Sequence, residues 1–124
     1  MILRYRAWLK EDKEMIDVEE INFYNGEFDF IGDAITWMCK SNDCVLMQST
    51  GLRDKDGKEI FEGDVVKMAK NVYSEPTYYE VVRHRGGAYR LESKRYGCEL
   101  WLRHADCEIA GNIYENPELL EVSS

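Results

Sequence analysis

The dipeptide Asn25-Gly26 stands between two short runs in which apolar and polar residues alternate. It predicts a β-hairpin with a two-residue turn, because both turn residues need a positive φ, which Asn and Gly tolerate. The register of such a hairpin pairs Phe23 with Phe28 and places four apolar side chains on one face, which we interpret as core. Those side chains belong to Ile21, Phe23, Phe28 and Phe30.

Turn-forming residues recur along the rest of the chain. Gly86-Gly87 predicts a second hairpin, between Thr77–Arg85 and Ala88–Ser93, and the apolar run Cys98–Arg103 predicts a further strand. About seven to nine short strands separated by such turns are typical of a small barrel or sandwich. We therefore predict a mainly β fold of short antiparallel strands, of which an SH3-like barrel is one form.

Helix is predicted only near residues 33–40 and 116–120. Asp33 and Asn116 are the candidate capping residues, and Pro117 would occupy the first helical position, which proline favours. The length of 124 residues suits one domain and is too short for two. We expect a single domain over residues 1–124.

The segment Met1–Leu9 lacks the continuous apolar run of a signal peptide, because Arg4 and Arg6 interrupt it. No uncharged stretch approaches the roughly 18 residues of a membrane span. We expect a cytoplasmic protein with no membrane partner. In that reducing compartment free thiols are expected at the four cysteines, Cys39, Cys44, Cys98 and Cys107.

Two groups of residues superficially resemble metal sites. The acidic run at residues 54–60 fails as a calcium loop, because Lys58 stands at a ligand position and Glu59 at the position of the turn glycine. Cys39, Cys98, His104 and Cys107 include no CxxC pair and fit no common zinc spacing. We predict no metal, no cofactor and no catalytic residue, and an unrecognised enzyme or metalloprotein is the least favoured alternative.

The charge of the chain is uneven. The net charge is −8, but residues 83–103 carry six basic and two acidic groups, so this basic segment is +4 and the remainder −12. Aromatic residues lie among its basic ones, as in proteins that bind single-stranded nucleic acid. The candidate surface comprises Arg83, Arg85, Tyr89, Arg90, Lys94, Arg95, Tyr96, Trp101 and Arg103.

Three interpretations of the basic segment stay open. It is a solvated face that balances an acidic remainder, a surface that meets the acidic surface of another copy, or a nucleic-acid site. A chain of net charge −8 repels a polyanion at long range before a local patch can attract it. We therefore favour a homo-oligomer over nucleic-acid binding.

Two stretches carry a longer pattern. Residues 46–66 contain Thr50-Gly51-Leu52-Arg53-Asp54 and Phe61-Glu62-Gly63-Asp64-Val65, and residues 109–120 contain Gly111-Asn112-Ile113-Tyr114-Glu115-Asn116-Pro117. Together with Arg6-Ala7-Trp8 near the start, they resemble the YopX family of phage and prophage proteins.

The resemblance implies a small, mainly β protein encoded by a phage or prophage, with no established activity and no assigned catalytic residues. It adds the expectation of a non-enzymatic accessory protein in the bacterial host cell, whose partner is another copy or an unidentified phage or host protein. The motif residues themselves are predicted to have folding roles. Gly51 lets the chain leave a strand at an unusual angle, and Asp56-Gly57 makes a turn.

Overall fold

The computed structural model describes residues 4–32, 37–69, 75–84, 87–94 and 96–122. The chain forms two compact units, Met1–Gln48 and Ser49–Ser124. Among the described residues, no helix is long and apolar enough to cross a membrane. The expectation of a single domain over residues 1–124 stays a prediction.

The first unit consists of short antiparallel strands. They are β1 (Tyr5–Leu9), β2 (Glu14–Val18), β3 (Ile21–Tyr24), β4 (Glu27–Gly32), β5 (Met38–Lys40) and the first half of β6 (Cys44–Arg53). β1 lies between β2 and β6, and β4 lies between β3 and β5. Ala7, Ile31 and Cys44 are buried at the centre of this unit, where the apolar sides of its strands meet.

The predicted hairpin forms, but its register changes partway along. Phe23 pairs with Phe28 as predicted, and Asn25 and Gly26 both have positive φ. A β-bulge follows, so Asn22 pairs with Phe30 and not with Asp29. A bulge adds one residue to one strand and reverses which side chains face the core beyond it.

The bulge overturns the predicted core face of the hairpin. Ile21 and Phe28 pack against the buried Ile31, whereas Phe30 is not part of that cluster. Phe23 lies at the hairpin end and is 60% exposed. The interpretation of Phe23 as a core residue is therefore wrong.

The second unit begins in the second half of β6. It continues with β7 (Glu59–Phe61), β8 (Asp64–Met68), β9 (Thr77–Arg83), β10 (Tyr89–Glu92), β11 (Gly97–Glu99), α1 (Leu100–Arg103), a 3-10 turn (His104–Asp106), β12 (Glu108–Asn112) and α2 (Glu118–Val122). Five strands form one antiparallel sheet in the order β11-β10-β9-β8-β12. The buried core of this unit comprises Ile60, Val66, Met68, Tyr79, Val81, Leu91, Leu100 and Cys107.

The predicted class, a mainly β fold of short antiparallel strands with short helices, is confirmed. The second predicted hairpin is also present as the β9–β10 pair. The terminal helix forms at Glu118–Val122, two residues later than predicted. Asn116, the predicted capping residue, directs its side-chain oxygen to the N–H of Asn112 at 3.3 Å.

Two other predicted elements differ from the structure. Residues 38–40, predicted as helix, form β5, because pairing with β4 places Cys39 against the core of the first unit. Residues 33–36 lie outside the described residues. The predicted strand Cys98–Arg103 ends at Glu99, and Leu100 starts α1. Leu100 is fully buried in that helical turn, so the core is filled without extending the strand.

The corrected register predicts unequal effects for the two paired phenylalanines of the first hairpin. Phe28→Ala should destabilise the fold by about 2 kcal/mol or more, because it removes a ring that packs against the core. Phe23→Ala should cost about 1 kcal/mol or less, because that ring is mostly exposed. Urea unfolding of the two variants measures the difference, and equal losses would contradict this register.

Candidate binding surface

The structure places the described members of the predicted surface in the second unit. Arg83 ends β9, Tyr89 and Arg90 begin β10, Lys94 and Tyr96 lie between β10 and β11, and Trp101 and Arg103 belong to α1. Arg85 and Arg95 lie outside the described residues. β9, β10 and β11 are neighbours in one sheet, so the basic segment is one continuous part of the fold.

Two of the arginines are engaged in ion pairs within the chain. Arg90 donates from Nη1 to Oε1 of Glu99 at 2.6 Å. Arg103 donates from Nε to Oδ2 of Asp106 at 3.0 Å. Pairs this exposed contribute little to stability, but they neutralise both guanidinium groups and fix their positions. Glu99 is already included in the charge of +4, whereas Asp106 lies outside residues 83–103 and offsets one further positive charge.

The aromatic residues of the surface divide into two groups. Tyr89 is half-buried and packs against the core of the second unit. Tyr96 is 50% exposed and Trp101 is 65% exposed. The neighbouring Leu102, which the sequence analysis did not single out, is 59% exposed. Tyr96, Trp101 and Leu102 form the apolar trio.

The exposure of the trio follows from the helical turn. In a strand, alternate side chains would point to one face, and Leu102 would be expected beside Leu100. In α1 only Leu100 is directed into the core, and Trp101 and Leu102 are directed outward. A large exposed apolar group in a small protein is a common mark of an interaction site.

A cleft of about 180 Å³ opens beside α1. Its lining consists of Met68, Ala69, Tyr79, Tyr96, Gly97, Cys98 and Arg103. This cleft brings together Tyr96 and Arg103, two residues of the predicted surface, and adds residues from β8 and β9 that sequence reasoning missed. No local sequence motif predicts that these β8 and β9 residues line the cleft, because the order of strands in the sheet brings them next to the basic segment.

The thiol in this cleft is poorly suited to nucleophilic chemistry. Burial raises the pKa of Cys98, although Arg103 and Arg90 oppose the increase. A thiol with a raised pKa stays protonated at neutral pH, and only the thiolate is a good nucleophile. Burial likewise raises the pKa of Cys107 to about 11. All four cysteines are free.

His104 and Cys107, two of the residues that superficially resemble a zinc site, are engaged in local hydrogen bonds. A ring nitrogen of His104, Nδ1, lies 2.8 Å from the carbonyl oxygen of Arg53. Cys107 donates from Sγ to the carbonyl oxygen of His104 at 3.2 Å. Within the part of the chain that the structure describes, no three metal-ligating side chains are grouped together.

The first unit contains a second cleft, of about 190 Å³, with an acidic lining. Asp17, Glu19 and Glu20 line it together with Val18, Gly32 and Trp37. The indole of Trp37 is 49% exposed. Trp37 is therefore an exposed tryptophan outside the basic segment, and it provides a control for Trp101.

The acidic loop at residues 54–60 is organised around the buried carboxylate of Asp54. Its Oδ1 accepts the N–H groups of Asp56 at 2.9 Å and Lys58 at 2.8 Å. Its Oδ2 accepts the N–H of Ile109 at 2.9 Å, across 55 positions of sequence. Burial alone would raise the pKa of Asp54, but these three hydrogen bonds outweigh it and hold the pKa below its usual value.

The last strand ends in a second network of this kind. Asn112 accepts the N–H of Tyr114 at 3.0 Å and the N–H of Glu115 at 2.8 Å through its side-chain oxygen. A Cβ at Gly111 would collide with the side chain of Asn116, so a larger residue there would displace Asn116 from its hydrogen bond to Asn112. These polar residues shape a turn of the backbone, and none of them lines either of the two clefts described above.

The same residues carry the family pattern. The model of the family described as YopX protein matches residues 4–121. This chain belongs to the YopX family. Among solved structures, it is similar to protein EF1440 from Enterococcus faecalis, with 29% sequence identity, a TM-score of 0.72, and coverage of 97% of this chain and 99% of that chain.

A second solved structure, protein yopX from Bacillus subtilis, shares the fold of this YopX-family chain. The identity is 23% and the TM-score 0.68, with coverage of 94% of this chain and 97% of that chain. No curated protein matches the sequence. The names of these relatives state no activity or ligand, so the function of the chain has to be argued from its own surfaces.

The hydrogen bonds of Asp54 predict a pH-dependent stability. A carboxyl group whose pKa is lowered by folding stabilises the fold above its unfolded pKa, and this contribution is lost as the pH falls through the folded pKa. The ordinary pKa of an aspartate carboxyl is 3.8, so the loss should begin near that pH and continue below it. Urea unfolding of the parent protein between about pH 6 and about pH 2 measures this loss.

The variant Asp54→Asn should lack this part of the pH dependence and be less stable at neutral pH by about 1–3 kcal/mol. The side-chain oxygen of the asparagine can still accept the N–H groups of Asp56 and Lys58. Its NH₂ group then faces the N–H of Ile109, so that two donors oppose each other. Asp56→Asn is the matched control, because Asp56 is exposed in the same loop. Equal stability of the two variants at every pH would refute this role of Asp54.

Proposed function

We propose that this YopX-family chain is a non-enzymatic accessory protein of a phage or prophage that acts in the bacterial cytoplasm by binding, and that it associates with copies of itself through the apolar trio. The exposure of Trp101 is the observation that carries the proposal. A tryptophan on the surface forgoes the large gain of burying its ring. Trp and Tyr are also enriched among the residues that dominate the affinity of protein interfaces.

The charges of the surrounding residues favour an apolar contact over a charge-driven one. Arg90 and Arg103 are already paired with Glu99 and Asp106. An arginine that is paired within its own chain gains less from an acidic surface on another copy. Charge complementarity mainly steers association, so burial of apolar area has to supply most of the affinity.

The pKa values of the thiols support the non-enzymatic part of the proposal. Cys98 and Cys107 both have raised pKa values, so neither is an activated nucleophile. The buried carboxylate of Asp54 is occupied by three backbone N–H groups. The unusual environments of these three side chains are thus explained by folding.

Binding of single-stranded nucleic acid is the second candidate function. Tyr96 and Arg103 line one cleft, and a base could stack on the ring while a phosphate approached the guanidinium group. The ion pair between Arg103 and Asp106 weakens this alternative, as does the net charge of −8. We therefore place it second.

Light scattering coupled to size-exclusion chromatography tests the proposal. The parent protein should have a mass larger than that of one chain, and Trp101→Ala combined with Leu102→Ser should shift it toward the monomer, because the apolar contact is removed. Trp37→Ala is the control, since it removes an exposed tryptophan from the first unit. It should leave the mass unchanged.

A parent protein that stays monomeric at high concentration would contradict self-association. If that monomer also shifted single-stranded RNA on a gel, with affinity falling steeply as salt rises, the second candidate would replace the first. A loss of mass with Trp37→Ala and none with the double variant would place the interface on the first unit.

A further inference from the structure

We propose that two copies associate about a two-fold axis, with Trp101 of each copy seated in the cleft beside Tyr79 and Cys98 of the other. This inference rests on the proposed self-association and specifies its geometry. Interfaces with two-fold symmetry are self-complementary, so a projecting group and its receptor must lie on the same surface of one chain. In this chain the projecting Trp101 and part of the cleft lining, Gly97, Cys98 and Arg103, lie within residues 97–103.

The projecting group and the receptor share helix α1. Trp101 projects from the helix, and Arg103, two residues later, lines the cleft. Gly97 and Cys98, in the strand that leads directly into α1, line it as well. A second copy related by a two-fold axis near α1 therefore presents its Trp101 close to the cleft of the first.

The lining of the cleft suits an indole. Met68, Ala69 and Tyr79 provide apolar and aromatic contacts, and the cleft volume of about 180 Å³ is suitable for one large side chain. A methionine sulfur packs favourably against an aromatic ring, and an arginine at the edge can lie over its face. The hydroxyl of Tyr96, in the same lining, can accept the indole N–H.

Ion pairs within each chain reduce the repulsion between the arginines nearest α1 when this surface faces its own copy. A two-fold axis brings like residues near each other, and unpaired arginines would then repel. Arg90 and Arg103 are each paired with a carboxylate of the same chain, at 2.6 Å and 3.0 Å. Each of these two arginines can therefore lie near the same arginine of the second chain, because its positive charge is balanced by a carboxylate of its own chain.

A double-mutant cycle tests the inference. Trp101→Ala removes the projecting group, and Ala69→Phe fills the receptor cleft. Each variant alone should raise the dissociation constant of the dimer about tenfold or more, as for a residue central to an interface. The two changes act on one contact, so combining them should weaken the dimer little further than the stronger single change. Sedimentation velocity over a range of concentrations measures the four dissociation constants, those of the parent, the two single variants and the double variant.

Ala110→Phe is the control for added bulk. Ala110 is exposed on β12 and does not line the cleft, so this variant should dimerise like the parent. Fully additive effects of Trp101→Ala and Ala69→Phe would overturn the inference. Unchanged dimerisation of a folded Ala69→Phe variant would also overturn it, while leaving self-association through the apolar trio intact.

A second measurement uses the parent protein and does not depend on how a variant folds. Cys98 lines the cleft, so its alkylation by iodoacetamide should slow as the protein concentration rises and the cleft fills. Cys39, a half-buried thiol of the first unit, is the internal control and should react at a constant rate. Peptide mass spectrometry reads both sites.

The outcomes separate the two proposals. A dimer whose Cys98 reacts at the same rate at all concentrations overturns the seating of Trp101 but not self-association. A protein that is monomeric at every concentration overturns both. A concentration-dependent slowing at Cys98, with none at Cys39, supports the seating of Trp101.

Discussion

The carboxylate of Asp54 holds together parts of the second unit that are far apart in sequence. It accepts two N–H groups of its own loop and the N–H of Ile109 in β12. Charge-assisted hydrogen bonds of this kind are stronger than those between neutral groups, and a buried N–H left without an acceptor is costly. Together with the backbone hydrogen bond from the N–H of Lys55 to the carbonyl oxygen of Cys107, this side chain joins the loop to the last strand. β12 in turn forms the edge of the sheet that leads, through β8 and β9, to the basic segment.

The two stretches in which the family resemblance was recognised, residues 46–66 and 109–120, do not include the residues proposed for binding. Asp54, Gly111 and Asn112 shape turns through backbone hydrogen bonds and close packing. Trp101 and Leu102 make no such contribution to the core and are directed outward. Membership of the YopX family therefore accounts for the fold of this chain, whereas the proposed interface rests on features of its own surface.

Short sequence motifs predicted those parts of the fold whose backbone conformation depends only on neighbouring residues. Asn25 and Gly26 specify their turn because the backbone there needs positive φ. The bulge beyond Phe23 could not be predicted, because it depends on how Ile31 fits into the core of the first unit. The helical turn at Leu100 was missed for a similar reason: one buried side chain is satisfied equally well by a strand or a helix. The cleft was unpredictable because β8 and β9 reach it only through the sheet order.

Amide hydrogen exchange at two protein concentrations tests the central claim, that the surface around α1 is where copies of the chain meet. A helix of four residues with outward side chains should exchange quickly in the monomer. If copies meet there, residues 97–103 should exchange more slowly at high concentration, while the hairpin tip at Asn25 should exchange at the same rate at both. Unchanged exchange at residues 97–103 in a protein that does associate would contradict the account.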